Sequence, residues 1–130
     1  MSPIRVLLVD DSPTFLQIAA RFLEEKEGIV VVGAVDGGQE NLTQAPSLRP
    51  QVMVVDLGTP GLTNLEAVAQ LRAMMPDVGI IAMSQVRATG YREAALAAGA
   101  DDLVLKATLL TDLLPAIRRT MENGYPRKSR

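Results

Sequence analysis

The sequence predicts an α/β fold with one mostly parallel sheet, because short apolar runs alternate with segments that have helical spacing. The runs lie at residues 6–9, 29–35, 52–55, 80–83 and 103–105. A chain of 130 residues without internal repeats makes one domain of common size. We therefore expect a single sheet with helices packed on its faces.

The residues that follow four of these runs carry groups that can handle phosphate. They are Asp10 and Asp11 after the first run, Asp56 after the third, Ser84 after the fourth and Lys106 after the fifth. Because parallel strands of an open α/β sheet gather their carboxyl ends in one crevice, these groups are expected to meet in a single pocket. The second run ends in no such group.

The first helix follows directly after the first strand. Ser12 is expected to cap it, and Pro13 fits its first turn. The helical spacing of apolar residues predicts the face that packs on the sheet, up to Gly28, and it comprises Phe15, Ile18, Ala19, Phe22 and Leu23.

The second and third helices have weaker signatures. Residues 39–48 follow a turn at residues 36–38, and Pro46 is expected to kink or shorten this helix because proline removes a backbone donor. Thr63 and Glu66 have the spacing of a capping box, which opens a helix that ends before Pro76. The apolar positions expected in that helix are Leu65, Val68, Ala69 and Leu71.

Two further helices complete the pattern. Alanine-rich residues 91–98 form one that Gly99 closes. The last covers residues 111–123 and ends near Gly124, and Pro115 is expected to cost it at most one early hydrogen bond.

Composition excludes several classes of function. Cysteine is absent, so the chain has no disulfide, thiol nucleophile or thiolate metal site. Two Phe, two Tyr and no Trp leave little aromatic surface for stacking on nucleic-acid bases. Residues 1–126 hold ten basic and fifteen acidic side chains, a charge of −5, which repels phosphate backbones. We expect no direct nucleic-acid binding by this domain.

The location of the protein is predicted from signals that the sequence lacks. Residues 1–5 have neither the charged nor the apolar region of a signal peptide, and no apolar run approaches the roughly 18 residues of a membrane span. The sequence therefore predicts a cytoplasmic protein without membrane contact.

The strand-end residues agree in type, order and position with the receiver domain of two-component response regulators, the CheY-like family, which residues 4–123 resemble. The resemblance implies a single doubly wound, parallel five-stranded sheet, flavodoxin-like (βα)5, with strand order 2-1-3-4-5. It also implies that Asp56 is the phosphoacceptor, that Asp10 and Asp11 hold Mg²⁺, that Ser84 is the switch hydroxyl and that Lys106 binds the phosphoryl group. Such a domain is a signalling phosphoacceptor that assists its own phosphorylation and dephosphorylation, rather than an enzyme.

Three segments look most like receivers joined to LuxR-type helix-turn-helix domains, namely residues 32–34, 49–51 and 99–101. We expect a receiver domain over residues 1–124 and a basic tail or linker stub over residues 125–130. A DNA-binding domain beyond residue 130 and a complete single-domain regulator both stay open.

Electrostatics favours the same assignment. Ionised Asp10, Asp11 and Asp56 beside Lys106 give the pocket a charge of −2, which a hard dication brings to zero. Mg²⁺ takes about six oxygen ligands, and we expect them from Asp11, Asp56, the backbone carbonyl of Gly58, waters and a phosphate oxygen. Asp10 is expected to act through water.

The expected reaction is attack of the Asp56 carboxylate on a phosphoryl group, which leaves an acyl phosphate that water later hydrolyses. The chain contains no histidine, so a phosphohistidine donor must belong to another protein, a sensor histidine kinase or a phosphotransfer protein. Small acyl phosphates are alternative donors. A homodimer is compatible with the sequence.

Four positions depart from the family pattern, and one of them is Ala107, which replaces the common proline after the lysine and is expected to keep a trans peptide bond. Leu103 stands where many receivers carry the Tyr or Phe whose rotation reports phosphorylation, so switching is expected to run through Ser84 and residues 85–90. Gln85 replaces a small residue and is expected to crowd the approach to Asp56. Asn64 replaces a glycine, and asparagine tolerates a positive φ better than most residues.

Two alternative functions compete with this assignment. An aspartate-nucleophile phosphatase of the haloacid dehalogenase kind needs a second carboxylate two residues after Asp56, where this chain has Gly58. A pseudo-receiver that binds proteins without being phosphorylated stays open. Each strand-end residue taken alone is commonly a turn residue, a helix cap or a surface lysine, so the assignment depends on all of them together.

Overall fold

The computed structural model describes residues 2–58, 64–87 and 89–122. Within them, five parallel strands form one sheet in the order β2-β1-β3-β4-β5, which confirms the predicted fold class. The strands are β1 (Ile4–Val9), β2 (Ile29–Val35), β3 (Val52–Asp56), β4 (Gly79–Ser84) and β5 (Asp102–Leu105).

Helices connect the strands and cover both faces of the sheet. They are α1 (Pro13–Glu24), α2 (Gln39–Gln44), α3 (Leu65–Met74), α4 (Tyr91–Ala98) and α5 (Leu109–Glu122). Short 3₁₀ turns follow α2 at Ala45–Leu48 and precede α5 at Lys106–Thr108.

The sheet separates two apolar cores. Val6 and Leu8 of β1 face a core shared with α1 and α5, whereas Leu7 and Val9 face a core shared with α2, α3 and α4. This alternation follows from the two-residue period of a strand. Every residue of β3 and β4 is buried, as expected for central strands of a parallel sheet.

The buried face of α1 differs from the prediction. Leu16, Ala19 and Leu23 are buried, whereas Ile18 is 54% exposed and Phe15 and Phe22 are half-buried. Two overlapping series at helical spacing are both apolar in this segment, one starting at residue 15 and one at residue 16. Packing against the sheet and α5 selects the second series, which the sequence pattern alone does not distinguish.

The predicted cap of α1 is confirmed. The Ser12 hydroxyl accepts a hydrogen bond from the backbone N–H of Phe15 at 3.2 Å, and Pro13 occupies the first turn. The irregularity predicted for the second helix is also confirmed: α2 ends at Gln44 and Pro46 lies in the 3₁₀ turn that follows.

The remaining helices differ from the predictions in detail. Thr63 lies outside the described residues, and α3 begins at Leu65 after Asn64, which makes no side-chain capping bond. In α3, Val68 and Leu71 are buried, but Ala69 is exposed. The predicted bounds of α4 are correct, and Gly99 after it has a φ of +123°, which glycine adopts without strain.

The last helix begins two residues earlier than predicted, at Leu109. Pro115 therefore lies inside α5 rather than in its first turn. Its missing N–H removes one bond, to the carbonyl of Thr111. Both residues are exposed, so water can solvate that carbonyl.

Arg72 of α3 bonds the chain just before β4 and the chain between α4 and β5. Its guanidinium donates to the carbonyls of Val78 at 2.6 Å and Gly99 at 2.9 Å, and to the carboxylate of Asp101 at 2.8 Å. Asp101 also accepts the N–H of Ile80 at 2.8 Å. These bonds satisfy buried polar groups and fix the start of β4.

Asp102 links β5 to the two helices beside it. Its carboxylate pairs with Arg92 of α4 at 2.8 Å and with Arg119 of α5 at 3.1 Å, and accepts the N–H of Leu103 at 2.8 Å. Burial raises the pKa of Asp102, but these hydrogen bonds outweigh it and hold the pKa below its ordinary 3.8.

We predict that Asp102→Asn lowers the free energy of unfolding by about 1 kcal/mol near neutral pH, a modest value because both arginines are more than half exposed. A lowered folded-state pKa stabilises above the unfolded pKa, and this contribution is lost as pH falls through the folded value. Urea unfolding should therefore show a difference between variant and wild type that shrinks in acid. A difference that persists unchanged in acid, or one equal to that of the exposed control Glu24→Gln, would contradict the assignment.

Candidate functional site

Asp10, Asp56 and Lys106 meet at the carboxyl end of the sheet. The Lys106 ammonium lies 2.5 Å from one oxygen of Asp10 and 3.3 Å from one oxygen of Asp56. The three side chains are 12% exposed or less. The structure thus brings together residues that follow β1, end β3 and follow β5.

The backbone holds both carboxylates firmly. Asp10 donates its N–H to the carbonyl of Val35 at 2.9 Å, and its Oδ1 accepts the N–H of Ser12 at 2.8 Å in the turn that leads into α1. Asp56 pairs with Met83 across the central strands, and the N–H of Leu57 donates to the carbonyl of Met83 at 2.9 Å. The backbone of both aspartates is therefore fixed at neighbouring strand ends.

The cluster carries an excess of negative charge in a buried place. Two carboxylates share one ammonium, which leaves a net charge of −1 when all three groups are ionised. Asp10 Oδ2 and Asp56 Oδ1, the two oxygens that face Lys106, have no hydrogen-bond partner other than that ammonium within the described residues. Such oxygens can bind a cation or a hydrogen-bond donor.

This excess of charge changes the proton affinity of Asp56. Burial raises the pKa of Asp56 and the neighbouring carboxylate of Asp10 raises it further, while Lys106 and the backbone N–H of Gly58 act in the opposite direction. The raised pKa reflects a carboxylate for which the available positive charge is insufficient.

Asp11 does not join this cluster. It is exposed, and its Oδ1 accepts the backbone N–H of Gly37 at 3.0 Å, in the loop after β2. Accordingly, no group of three His, Cys, Asp or Glu side chains that could hold a metal ion is found in residues 2–58, 64–87 and 89–122. The structure brings together two of the three predicted carboxylates.

Ser84 lies at the buried end of β4, beside Leu105 of β5. Its hydroxyl donates to the carbonyl of Val86 at 2.7 Å and accepts the N–H of Val86 at 3.2 Å. The hydroxyl is therefore bonded within its own loop. The side chains that follow it, Gln85, Val86 and Arg87, are exposed.

Gly58, the predicted carbonyl ligand, is buried and has a φ of +92°, a conformation that favours glycine. Its N–H donates to the Asp56 carboxylate. Pro60, which stands where receiver domains usually have a proline after the aspartate that aligns with Asp56, lies outside the described residues.

Comparison with known proteins identifies this arrangement. The family described as "Response regulator receiver domain" matches residues 6–118. The chain belongs to the response regulator receiver family. This receiver domain is a signalling domain, and the resemblance found in the sequence is confirmed.

Two proteins similar to this chain are considerably longer than it. The response regulator GacA of Pseudomonas viridiflava is 35% identical over 115 residues, which are 88% of this chain and 54% of GacA. BvgA of Bordetella pertussis, named a putative positive transcription regulator of virulence factors, is 32% identical over 121 residues, or 93% and 57% of the two chains. The chain thus spans just over half the length of these relatives.

A LuxR-family two-component response regulator from Aurantimonas sp. has been solved and superposes on this receiver domain with a TM-score of 0.83. It is 28% identical, and the match covers 95% of this chain and 89% of that one. The predicted likeness to LuxR-type regulators is confirmed. No helix within the described residues is long and apolar enough to cross a membrane.

Two contacts in this receiver domain were not predicted. Asn64, expected to need a positive φ, has a φ of −109°, and its side-chain amide donates to the backbone carbonyl of Asp56 at 3.2 Å. The Lys106 ammonium lies 4.3 Å from the centre of the Phe15 ring. The sequence offers one signal for the contact of Phe15. The first turn of α1 comes shortly after Asp10, so its side chains border the crevice.

We predict that Asp56→Asn stabilises the metal-free domain near neutral pH, raising its melting temperature by a few degrees. The substitution removes a buried charge and leaves Asp10 paired with Lys106. A raised folded-state pKa gives stability that is present below the unfolded pKa and is lost as pH rises through the folded value. The gain should therefore shrink in acid.

Thermal unfolding followed by circular dichroism at several pH values measures this effect. Asp36→Asn is the matched control, since Asp36 also follows a strand but is exposed. If Asp56→Asn were no more stable than wild type near neutral pH, the carboxylates would not be in electrostatic conflict.

Proposed function

We propose that this receiver domain accepts a phosphoryl group on Asp56 in two-component signalling. The donor is a phosphohistidine of a sensor histidine kinase or of a phosphotransfer protein. The observation that carries the proposal is the buried Asp56 carboxylate, held at the end of β3 beside a lysine that it shares with Asp10.

Asp56 and Lys106 have distinct roles in the transfer. A carboxylate oxygen of Asp56 attacks phosphorus in line, so that an O–P bond forms as the bond from phosphorus to the donor's imidazole nitrogen breaks. Lys106 is 3.3 Å from Asp56 Oδ1 and can follow the charge to the phosphoryl oxygens. Attack by water on the acyl phosphate later releases phosphate and restores the carboxylate.

Receiver domains generally bind Mg²⁺, and the residues present fit this ion. Two buried carboxylate oxygens share the Lys106 ammonium as their partner, which leaves an excess of negative charge for a dication to neutralise. Asp10, Asp11, Asp56 and the carbonyl of Gly58 would hold the ion, Asp10 through water. Asp11 must first release the N–H of Gly37. When bound, Mg²⁺ neutralises the carboxylates and the phosphoryl oxygens.

The proposed switch uses the loop after β4. To bond a phosphoryl oxygen, the Ser84 hydroxyl must leave the carbonyl of Val86, which changes the backbone of an exposed segment. Leu103 is half-buried against the core on the α3 and α4 side of the sheet and has no hydroxyl to report a change. Phosphorylation would therefore reach the surface through residues 85–90.

The proposed role of the protein is to regulate transcription in the cytoplasm. BvgA is named as a transcription regulator, and this chain spans 57% of its length. DNA contacts are expected outside residues 1–124, which have an excess of acidic side chains. Residues 125–130 would act as a linker, and a second copy of the chain is a compatible partner.

A pseudo-receiver remains the second candidate, because two observations favour it. Asp11 is bonded to Gly37 instead of facing Asp56, and the Ser84 hydroxyl is bonded within its own loop. Such a module would bind partners in one conformation. Retention of beryllium fluoride, a mimic of the phosphoryl group, that depends on both Asp56 and Mg²⁺ would exclude it.

The first prediction of this proposal is that Asp56→Ala abolishes labelling by a phosphodonor and keeps the fold, because it removes the attacking oxygen and also relieves the repulsion with Asp10. Acid-labile, hydroxylamine-sensitive phosphate is the measured quantity. Asp36→Ala, at the end of β2, is the control and should be labelled like wild type. Persistent phosphate of this kind on the Asp56 variant would overturn the assignment.

Metal binding provides a separate prediction. Mg²⁺ should raise the melting temperature of the wild type, because it binds the folded state, and Asp11→Ala should lose most of that rise. Asp36→Ala should keep it. Equal shifts in wild type and Asp11→Ala would remove Asp11 from the coordination shell.

The switch can be followed by amide hydrogen exchange with and without beryllium fluoride in the presence of Mg²⁺. We expect altered exchange in residues 85–90, and we expect Ser84→Ala to lose this response. Changes confined to residues 101–106 would be inconsistent with the proposed route.

A further inference from the structure

Three groups of the described residues contact the Lys106 ammonium. Two are the carboxylates of Asp10 and Asp56, and the third is the face of the Phe15 ring, whose centre lies 4.3 Å from the nitrogen. A cation at this distance from a ring face is attracted by the quadrupole of the ring. The lysine side chain is only 12% exposed, so water screens the attraction little.

The Phe15 ring is itself held in place. The backbone N–H of Phe15 donates to the Ser12 hydroxyl at 3.2 Å, and this bond fixes the first turn of α1. The side chain packs against the core shared by α1, α5 and the sheet. The ring is therefore a rigid surface against which a flexible lysine can be positioned.

The two carboxylates cannot hold Lys106 in the same way throughout a phosphorylation cycle. Asp56 loses its carboxylate when an acyl phosphate forms on it. A cation that enters the cluster competes with Lys106 for the carboxylate of Asp10. The Phe15 ring keeps the same charge distribution in every state. It is the one constant contact of the ammonium among the three.

We propose that Phe15 is a positioning residue, whose ring face holds the Lys106 ammonium within reach of the group on Asp56; this inference rests on the proposed function. Without the ring, the lysine side chain regains rotamer freedom, so its ammonium is less often within reach of the group on Asp56. The phosphoryl group, or a mimic of it, then no longer meets an ammonium that is already in position, and it binds more weakly.

The same helix supplies a matched control. Phe22 of α1 is also half-buried against the same core, and its ring centre lies 4.6 Å from the ammonium of Lys26. Lys26 lies beyond the end of α1 and makes no contact with the carboxylate cluster among the described residues. Truncation of either ring to leucine removes a similar packing contact and a similar cation contact.

The test measures the Kd of beryllium fluoride, with Mg²⁺ present, for the full chain and for Phe15→Leu, Phe15→Tyr and Phe22→Leu. All four proteins are compared at a temperature where circular dichroism shows them folded. Phe15→Leu should raise the Kd about tenfold, which corresponds to about 1.4 kcal/mol. Phe15→Tyr, which keeps the ring face, and Phe22→Leu should stay within about twofold of wild type.

Each outcome decides the matter. A Kd for Phe15→Leu within about twofold of wild type overturns the role of Phe15 and leaves the proposed function standing. Equal weakening by Phe22→Leu, or failure of Phe15→Tyr to restore binding, attributes the effect to packing and also overturns it. If the wild type binds no beryllium fluoride, the proposed function fails and this inference fails with it.

Discussion

One ammonium shared between two buried carboxylates determines how the rest of this receiver domain works. Lys106 can neutralise one negative charge, but both Asp10 and Asp56 lie within 3.3 Å of it and are almost fully buried. Removal of a charge from water is costly unless the charge is paired, so the cluster has a persistent deficit of positive charge. Burial raises the pKa of Asp56 and this deficit raises it further, and the deficit also accounts for the affinity proposed for Mg²⁺.

The fold maintains this conflict because its central strands cannot move apart. β1 and β3 pair through four residue pairs, and β3 pairs with β4 as far as Asp56. Apolar layers on both faces of the sheet bury these strands. Side chains at the strand ends are thereby held close even though like charges repel, and a cation that enters the cluster would relieve this repulsion. The stability of the scaffold thus keeps the two carboxylates beside one ammonium.

The strands and the residues at their ends were predictable from sequence, because a buried parallel strand is a continuous apolar run and its end is marked by the first polar side chain. What could not be predicted depends on tertiary packing. The choice of Leu16 over Ile18 for the buried face of α1 is made by the surface that the helix meets. The turn of Asp11 towards the loop after β2, the bond from Asn64 to the β3 carbonyl and the contact of Phe15 with the lysine all join residues distant in sequence. No local pattern encodes them.

The central claim is that Lys106 is shared between Asp10 and Asp56 so that it can move to a phosphoryl group. A crystal structure with Mg²⁺ and beryllium fluoride tests this directly. The account predicts beryllium fluoride on a carboxylate oxygen of Asp56, with the ammonium of Lys106 in hydrogen-bond contact with a fluoride and displaced from Asp10. Beryllium fluoride bound elsewhere, or bound at Asp56 while Lys106 keeps its contact with Asp10, would contradict it.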